Sequence, residues 1–131
     1  MTPIEKPDAK IVCLVDDDPT VRKSIEQLLV SDGFSVRSFD KAKSFLTYFQ
    51  THPVALVVLD IWMEEMSGLE VQAQLSALSP QTRVIIITGR EDQTAKLAAL
   101  QLGIIAFFTK PFDDDQFLNA VRGALAMHPI E

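Results

Sequence analysis

Four short apolar runs and one alternating run, each followed by a segment of helical periodicity, constrain this chain more than any other feature. The apolar runs are Ile11–Val15 (IVCLV), Val54–Leu59 (VALVVL), Val84–Ile87 (VIII) and Ile104–Phe108 (IIAFF). Phe34–Phe39 (FSVRSF) alternates, as a half-exposed edge strand does. Strands that are apolar on both faces belong to a parallel sheet covered by helices on both sides. Between the runs, Val21, Ile25, Leu28 and Leu29 fall at i, i+4, i+7 and i+8, one stripe of a helix. Pro19 suits its first turn and Gly33 its C-terminal end. Asp40 is expected to cap a second helix carrying Ala42, Phe45, Leu46 and Phe49 on one face.

The segment after the third run is two-sided. Leu69, Val71, Ala73 and Leu75 alternate as a strand would, yet Ser67-x-x-Glu70 is a capping box and Val71, Leu75 and Leu78 fit helical spacing. It is read as a helix. About Asp92–Leu102 forms the fourth helix, ended by Gly103. About Asp113–Met127 forms the fifth, with Phe117, Leu118, Val121 and Leu125 inward. Five β-α units in 131 residues are about half of what a closed TIM barrel needs. An α/β, doubly wound, five-stranded parallel sheet of flavodoxin-like order 2-1-3-4-5 remains, with the alternating run at its edge. Residues 11–127 read as one domain, with 1–10 and 128–131 as tails.

Composition narrows the class. Hydrophobic residues make up 47%, which excludes disorder, and no apolar run approaches the roughly 18 residues of a membrane span. The opening MTPIEKPDAK carries no apolar signal region. The single cysteine, Cys13, rules out a disulfide framework or a multi-thiolate metal site and reads as a small buried hydrophobe in a strand. A cytoplasmic protein without membrane contact is expected. The net charge of −6 lacks the basic face that phosphate neutralisation needs, so no direct nucleic-acid binding by this domain is expected.

In doubly wound sheets ligands bind beyond the carboxyl ends of the strands. Asp16 and Asp17 follow the first run, Asp60 the third, Thr88 ends the fourth, and Lys110 lies just past the fifth. In the order 2-1-3-4-5 the first and third strands are neighbours, so three carboxylates converge, with a hydroxyl and an ammonium across from them. Such carboxylates repel one another, which raises a pKa or attracts a cation. Oxygen-only ligands with open water positions suit Mg²⁺, and a hydroxyl with a point charge suits a phosphoryl group. A carboxylate between the two can accept that group as an aspartyl phosphate. Any one of these acids alone reads as loop solvation or a helix cap; the coincidence of all five groups carries the reading.

At this point the sequence resembles a response regulator receiver domain of two-component signalling, over about residues 10–127. The matching stretches are IVCLVDDDPTVRKSI, VVLDIWMEEMSGLE, VIIITGRED and GIIAFFTKPF. SGLE and TGRED are most similar to the FixJ-type branch, whose longer members carry a helix-turn-helix output domain. The resemblance implies Asp60 as phosphoacceptor, Asp17 binding Mg²⁺ directly, Asp16 binding it largely through water, and the backbone carbonyl of Trp62 completing the metal shell. It implies that Thr88 donates to a phosphoryl oxygen, that Lys110 pairs with the phosphate, that Lys110–Pro111 is cis, and that Phe107 is the aromatic switch residue. Phe108 reads as ordinary core. Asp18 reads as a loop or helix-start residue rather than a ligand.

The implied partner is a sensor histidine kinase. The implied output face joins the fourth helix, fifth strand and fifth helix, and serves an output domain or a homodimer, with transcription regulation the expected output. No enzymatic activity beyond self-phosphorylation and self-dephosphorylation is implied. The FixJ-type resemblance favours a piece of a longer transcription factor over a stand-alone regulator. Trp62 and Arg90 each stand two residues after a site residue and are expected to flank the phosphoryl group and set its lifetime. Bulky Trp62, the only tryptophan, is expected to shield it from water. One departure from the family is that Met63 is followed by Glu64, then Glu65, where the family usually has proline in a Met-Pro pair; Ile104 in place of a small residue after Gly103 is a lesser one. His52 and His128 carry no expected role.

Two other readings compete. Asp16-Asp17-Asp18-Pro19-Thr20 also fits the D-x-D-x-T nucleophile loop of haloacid-dehalogenase-type phosphatases, with Asp16 as nucleophile. That reading leaves Asp60 and the SGLE turn without a role, and Asp113–Asp115 open a helix, where capping is the simpler account. The missing proline motivates the other, a docking receiver that never accepts phosphate.

Overall fold

The computed structural model describes residues 11–126; the two tails expected at 1–10 and 128–131, and Met127, lie outside the described residues. Five strands alternate with five helices: β1 (Ile11–Val15), α1 (Pro19–Ser31), β2 (Ser35–Phe39), α2 (Ala42–Thr51), β3 (Leu56–Asp60), α3 (Gly68–Leu78), β4 (Arg83–Thr88), α4 (Gln93–Gln101), β5 (Ala106–Thr109) and α5 (Asp114–Ala126). All neighbouring strands pair in parallel, in the order β2-β1-β3-β4-β5.

Strand pleating sorts the apolar runs into two cores. Cys13, Val15, Val57, Leu59, Val84 and Ile86 face α2, α3 and α4, meeting Phe45, Val71, Leu75, Ala95 and Ala99. Val12, Leu14, Leu56, Val58, Ile85 and Ile87 face α1 and α5, meeting Ile25, Leu29, Phe117, Leu118 and Val121. The central strand β3 is buried along its whole length, while edge strand β2 is half exposed, as its alternation predicts. Burial pushes the Cys13 thiol up to about 12, consistent with an inert strand hydrophobe.

Helix ends follow local chemistry. The Asp18 carboxylate accepts from the amides of Thr20 and Val21, which makes it the N-cap of α1. Ser67 accepts from Glu70 N at the start of α3, and Asp92 from Ala95 N at the start of α4. Gly33 takes φ +90° just past α1, a left-handed conformation that costs glycine little.

Four expectations need correction. Asp40 does not cap α2: Lys41 occupies the N-cap position, and a lysine ammonium has no acceptor to offer the free amides. The third run pairs from Leu56 rather than Val54, and the last strand starts at Ala106 rather than Ile104. Apolar runs overshoot their strands because the approaching loops are buried as well: Val54 is in the core although it precedes β3. Leu78, assigned to the inward stripe of α3, is 70% exposed, because the helix ends there and turns away.

Candidate functional site

Strand register sets the site. Val15 pairs with Leu59, so the residues that follow them, Asp16 and Asp60, leave neighbouring strands at the same level. Thr88 pairs with Thr109, which puts Lys110 one residue beyond the last rung of the sheet. Carboxylate oxygens of Asp16, Asp17 and Asp60 all lie within 4.8 Å of one another. Asp16 and Thr88 are fully buried, Asp60 nearly so, and Asp17 is exposed.

Each group is held by specific contacts. The amide of Asp18 donates to Asp16 Oδ1 (2.9 Å) and the Lys110 ammonium to Asp16 Oδ2 (3.1 Å). Arg22 donates from its guanidinium to the Asp16 backbone carbonyl (2.8 Å). The amide of Trp62 reaches Asp60 Oδ1 at 3.4 Å. The Thr88 hydroxyl donates to the carbonyl of Arg90 (3.0 Å) and accepts from the Arg90 amide (3.3 Å). The Arg90 guanidinium carbon stands 4.2 Å from the centroid of the Trp62 ring. Lys110–Pro111 is cis, as the resemblance implies.

Electrostatics single out Asp60. Burial and, next, the Asp16 carboxylate push its pKa up to about 6, against the opposing pull of Lys110 and the Trp62 amide. Three carboxylates against one ammonium leave excess negative charge in a buried mouth, and hard oxygen donors at this spacing fit a divalent cation. A cleft of about 270 Å³ beside them is lined by Asp17, Asp40, Glu64, Glu65 and Lys41, so Glu64 and Glu65 add negative charge beside the three acids.

The two aromatic residues of β5 pack on opposite faces of the sheet. Phe108 packs into a cluster with Phe112 and Phe117. Phe107 is half buried on the opposite face, pairs in register with Ile86, and carries the Lys96 ammonium 5.8 Å from its ring centroid. Asp113 caps α5 through the Gln116 amide rather than joining the site. His52 stacks on Tyr48 away from it.

Two residues had no assigned part in the sequence reading. Gly68 opens α3 against the backbone of Asp60: a Cβ there would land on the Asp60 carbonyl oxygen and 3.0 Å from Ile61 Cα. A glycine inside a helix start whose cap is already supplied by Ser67 was the available signal. Gln72, fully buried, donates to the Ala99 carbonyl (3.3 Å) and so ties α3 to α4. Nothing in an amphipathic pattern marks a glutamine as buried.

Comparison with known proteins agrees with this geometry. Residues 12–122 match the family model of the response regulator receiver domain. The response regulator protein TodT of Pseudomonas putida is 38% identical over 121 residues, covering 92% of this chain and 53% of TodT. The transcriptional regulatory protein FixJ of Azorhizobium caulinodans is 36% identical over 119 residues, covering 91% of this chain and 56% of FixJ. The chain thus spans about half the length of these curated relatives. A CheY-like receiver domain protein from Methanospirillum hungatei superposes with a TM-score of 0.83 at 26% identity, covering 88% of this chain and 93% of that one. With a family model matched from β1 into α5 and the acids, threonine and lysine gathered at one sheet edge, the chain belongs to the response regulator receiver domain family.

Proposed function

We propose that this chain accepts a phosphoryl group on Asp60 from a phosphohistidine of a sensor histidine kinase and passes the signal to a transcriptional output. The observation that carries this reading is the convergence of the Asp16, Asp17 and Asp60 carboxylates within 4.8 Å, with the Lys110 ammonium 3.1 Å from Asp16. Asp60 is the nucleophile rather than Asp16. Asp16 is fully buried and both of its oxygens are engaged, by the Asp18 amide and by Lys110, which disfavours the phosphatase reading. With its pKa near 6, Asp60 is mostly ionised at neutral pH and remains a better nucleophile than an unperturbed carboxylate.

Asp17, Asp60 and the Trp62 backbone carbonyl would hold Mg²⁺ directly, with Asp16 behind a water. Bound there, Mg²⁺ neutralises charge on the transferring group and helps align it. The protein's own part is the following. An Asp60 oxygen attacks phosphorus, the P–O bond forms as the P–N bond breaks, and the electron pair leaves on the imidazole nitrogen. Lys110 turns from Asp16 towards a phosphoryl oxygen. Thr88 gives up Arg90 and donates to another. Thr88 lies one pleat beyond Ile86, the strand neighbour of Phe107, so its movement vacates space on the face where Phe107 packs. Phe107 turns inward and the surface of α4, β5 and α5 repacks, a two-state element biased by a local charge. That surface serves an output domain or a second copy. The domain works in the cytoplasm and turns over nothing but its own phosphoryl group; Trp62 and Arg90 set how long that group lasts. No described helix is long and apolar enough to cross a membrane.

The test is intact-mass and peptide mapping after treatment with acetyl phosphate and Mg²⁺. A phosphoryl adduct on Asp60, absent from Asp60→Asn, is expected. An adduct on Asp16, or none while Mg²⁺ binds, would reject the reading in favour of the phosphatase or the docking receiver.

A further inference from the structure

Three hydrogen bonds and one stack link Asp60 to Thr88 at the mouth of the site. Asp60 is bonded to the backbone of Trp62, and Thr88 to the backbone of Arg90. The side chains of Trp62 and Arg90 then meet, with the guanidinium 4.2 Å from the ring centroid. Each residue of the chemistry is therefore tied to one half of a cation–π pair, and the pair bridges the loops that follow β3 and β4. Trp62 keeps 36% of its surface exposed, so the stack lies at the outer rim rather than in the core.

We propose that Trp62 and Arg90 act as one positioning unit, a latch that keeps the resting site closed and that Thr88 releases. The inference rests on the phosphoacceptor reading above. In the resting state Thr88 spends its single donor on the Arg90 carbonyl and also accepts from the Arg90 amide. A hydroxyl has one proton to donate, so bonding a phosphoryl oxygen breaks the bond to the Arg90 carbonyl. The Arg90 loop then keeps only the bond from its own amide to the Thr88 oxygen, and the guanidinium loses its fixed seat on the indole. Conversely, the stack holds the Arg90 loop where it captures the Thr88 hydroxyl and opposes phosphorylation. Neither residue acts without the other, which separates this latch from two independent neighbours of the acceptor.

The test is a rate cycle with acetyl phosphate and Mg²⁺, following adduct formation by intact mass. In the Arg90 background, Trp62→Leu is expected to speed phosphorylation about two- to fivefold, the factor an exposed cation–π contact supplies. In the Arg90→Met background the same substitution is expected to change nothing; in Arg90→Lys, which keeps a cation, the effect returns. The cycle cancels any direct attraction between Arg90 and the anionic donor, because that term is common to both arms. Emission of Trp62 gives a second readout: Arg90→Met and beryllofluoride binding to the native residue pair should shift it in the same direction. Equal factors in both backgrounds, no effect of Trp62→Leu, or unmoved emission while mass records the adduct would each overturn the latch. Absence of any adduct on the unsubstituted protein would instead overturn the phosphoacceptor reading beneath it.

Discussion

The Lys110 ammonium and the Asp16 carboxylate meet at 3.1 Å, joining residues 94 positions apart across the mouth of the sheet. Asp16 is fully buried and Lys110 only partly so. Removing the lysine leaves an uncompensated buried charge, which costs more than the pair itself contributes. Lys110→Met is expected to lose phosphorylation and to lower stability by about 2–4 kcal/mol in metal-free buffer. Added Mg²⁺ should recover more melting temperature in this variant than in the parent, because the competing cation has gone. Calorimetry with and without Mg²⁺ checks both; an equal Mg²⁺ gain would show that Lys110 does not compete for the acids.

Asp60 makes stability depend on pH in a direction opposite to most carboxylates. Its folded pKa is raised, to about 6 from an ordinary value near 3.8, chiefly by burial and by Asp16. The folded state therefore favours the protonated form. The associated stability is fully present below pH 4 and is lost as pH climbs through 6. Two pKa units correspond to roughly 2–3 kcal/mol. In metal-free buffer Asp60→Asn should be more stable than the parent at pH 7.5 by up to that amount, and the gap should close towards pH 4. Urea midpoints across pH 4–8 measure it; a gap that widened on acidification would contradict the assignment.

Gly68 lets the start of α3 sit on the Asp60 backbone, since a Cβ has no space there. The opposing atoms are main chain and cannot swing aside. Gly68→Ala should therefore cost about 1–3 kcal/mol by overpacking and slow phosphorylation by shifting Asp60. Gly123→Ala, where nothing lies within 4 Å of the added carbon, serves as the control and should be neutral or stabilising. Equal effects of the two would reduce the loss to a generic helix-propensity change.

Much of this site was legible because it depends on strand ends. Apolar runs as uniform as Leu56–Leu59 place the first acid after them at the sheet's carboxyl edge whatever the loops do, which is how Asp16, Asp60 and Thr88 come together. Strand order came from the contrast between FSVRSF and its all-apolar neighbours. What a linear pattern lacks is partner identity. Asp40 and Lys41 look like cap and helix start, but only the path of the loop decides which one takes the N-cap position. The stack of Arg90 on Trp62 and the tie between Gln72 and Ala99 join separate loops or helices, and no periodicity encodes them.

Gln72 allows a prediction of opposite sign. Its amide nitrogen bonds the Ala99 carbonyl, but its Oε1 is buried with no hydrogen-bond partner among the described residues. An unsatisfied buried acceptor costs about 1–3 kcal/mol, whereas one neutral hydrogen bond contributes about 1. Ala99 O also accepts from the Leu102 amide, so losing Gln72 leaves no orphan carbonyl. Methionine matches the length of glutamine without its polar atoms. Gln72→Met should therefore raise the urea midpoint while loosening the link between α3 and α4, and amide exchange around Ala99 should quicken relative to β3. A lower midpoint would mean that the tether outweighs the orphaned oxygen, and that α4 is held to α3 more firmly than the hydrogen-bond balance predicts.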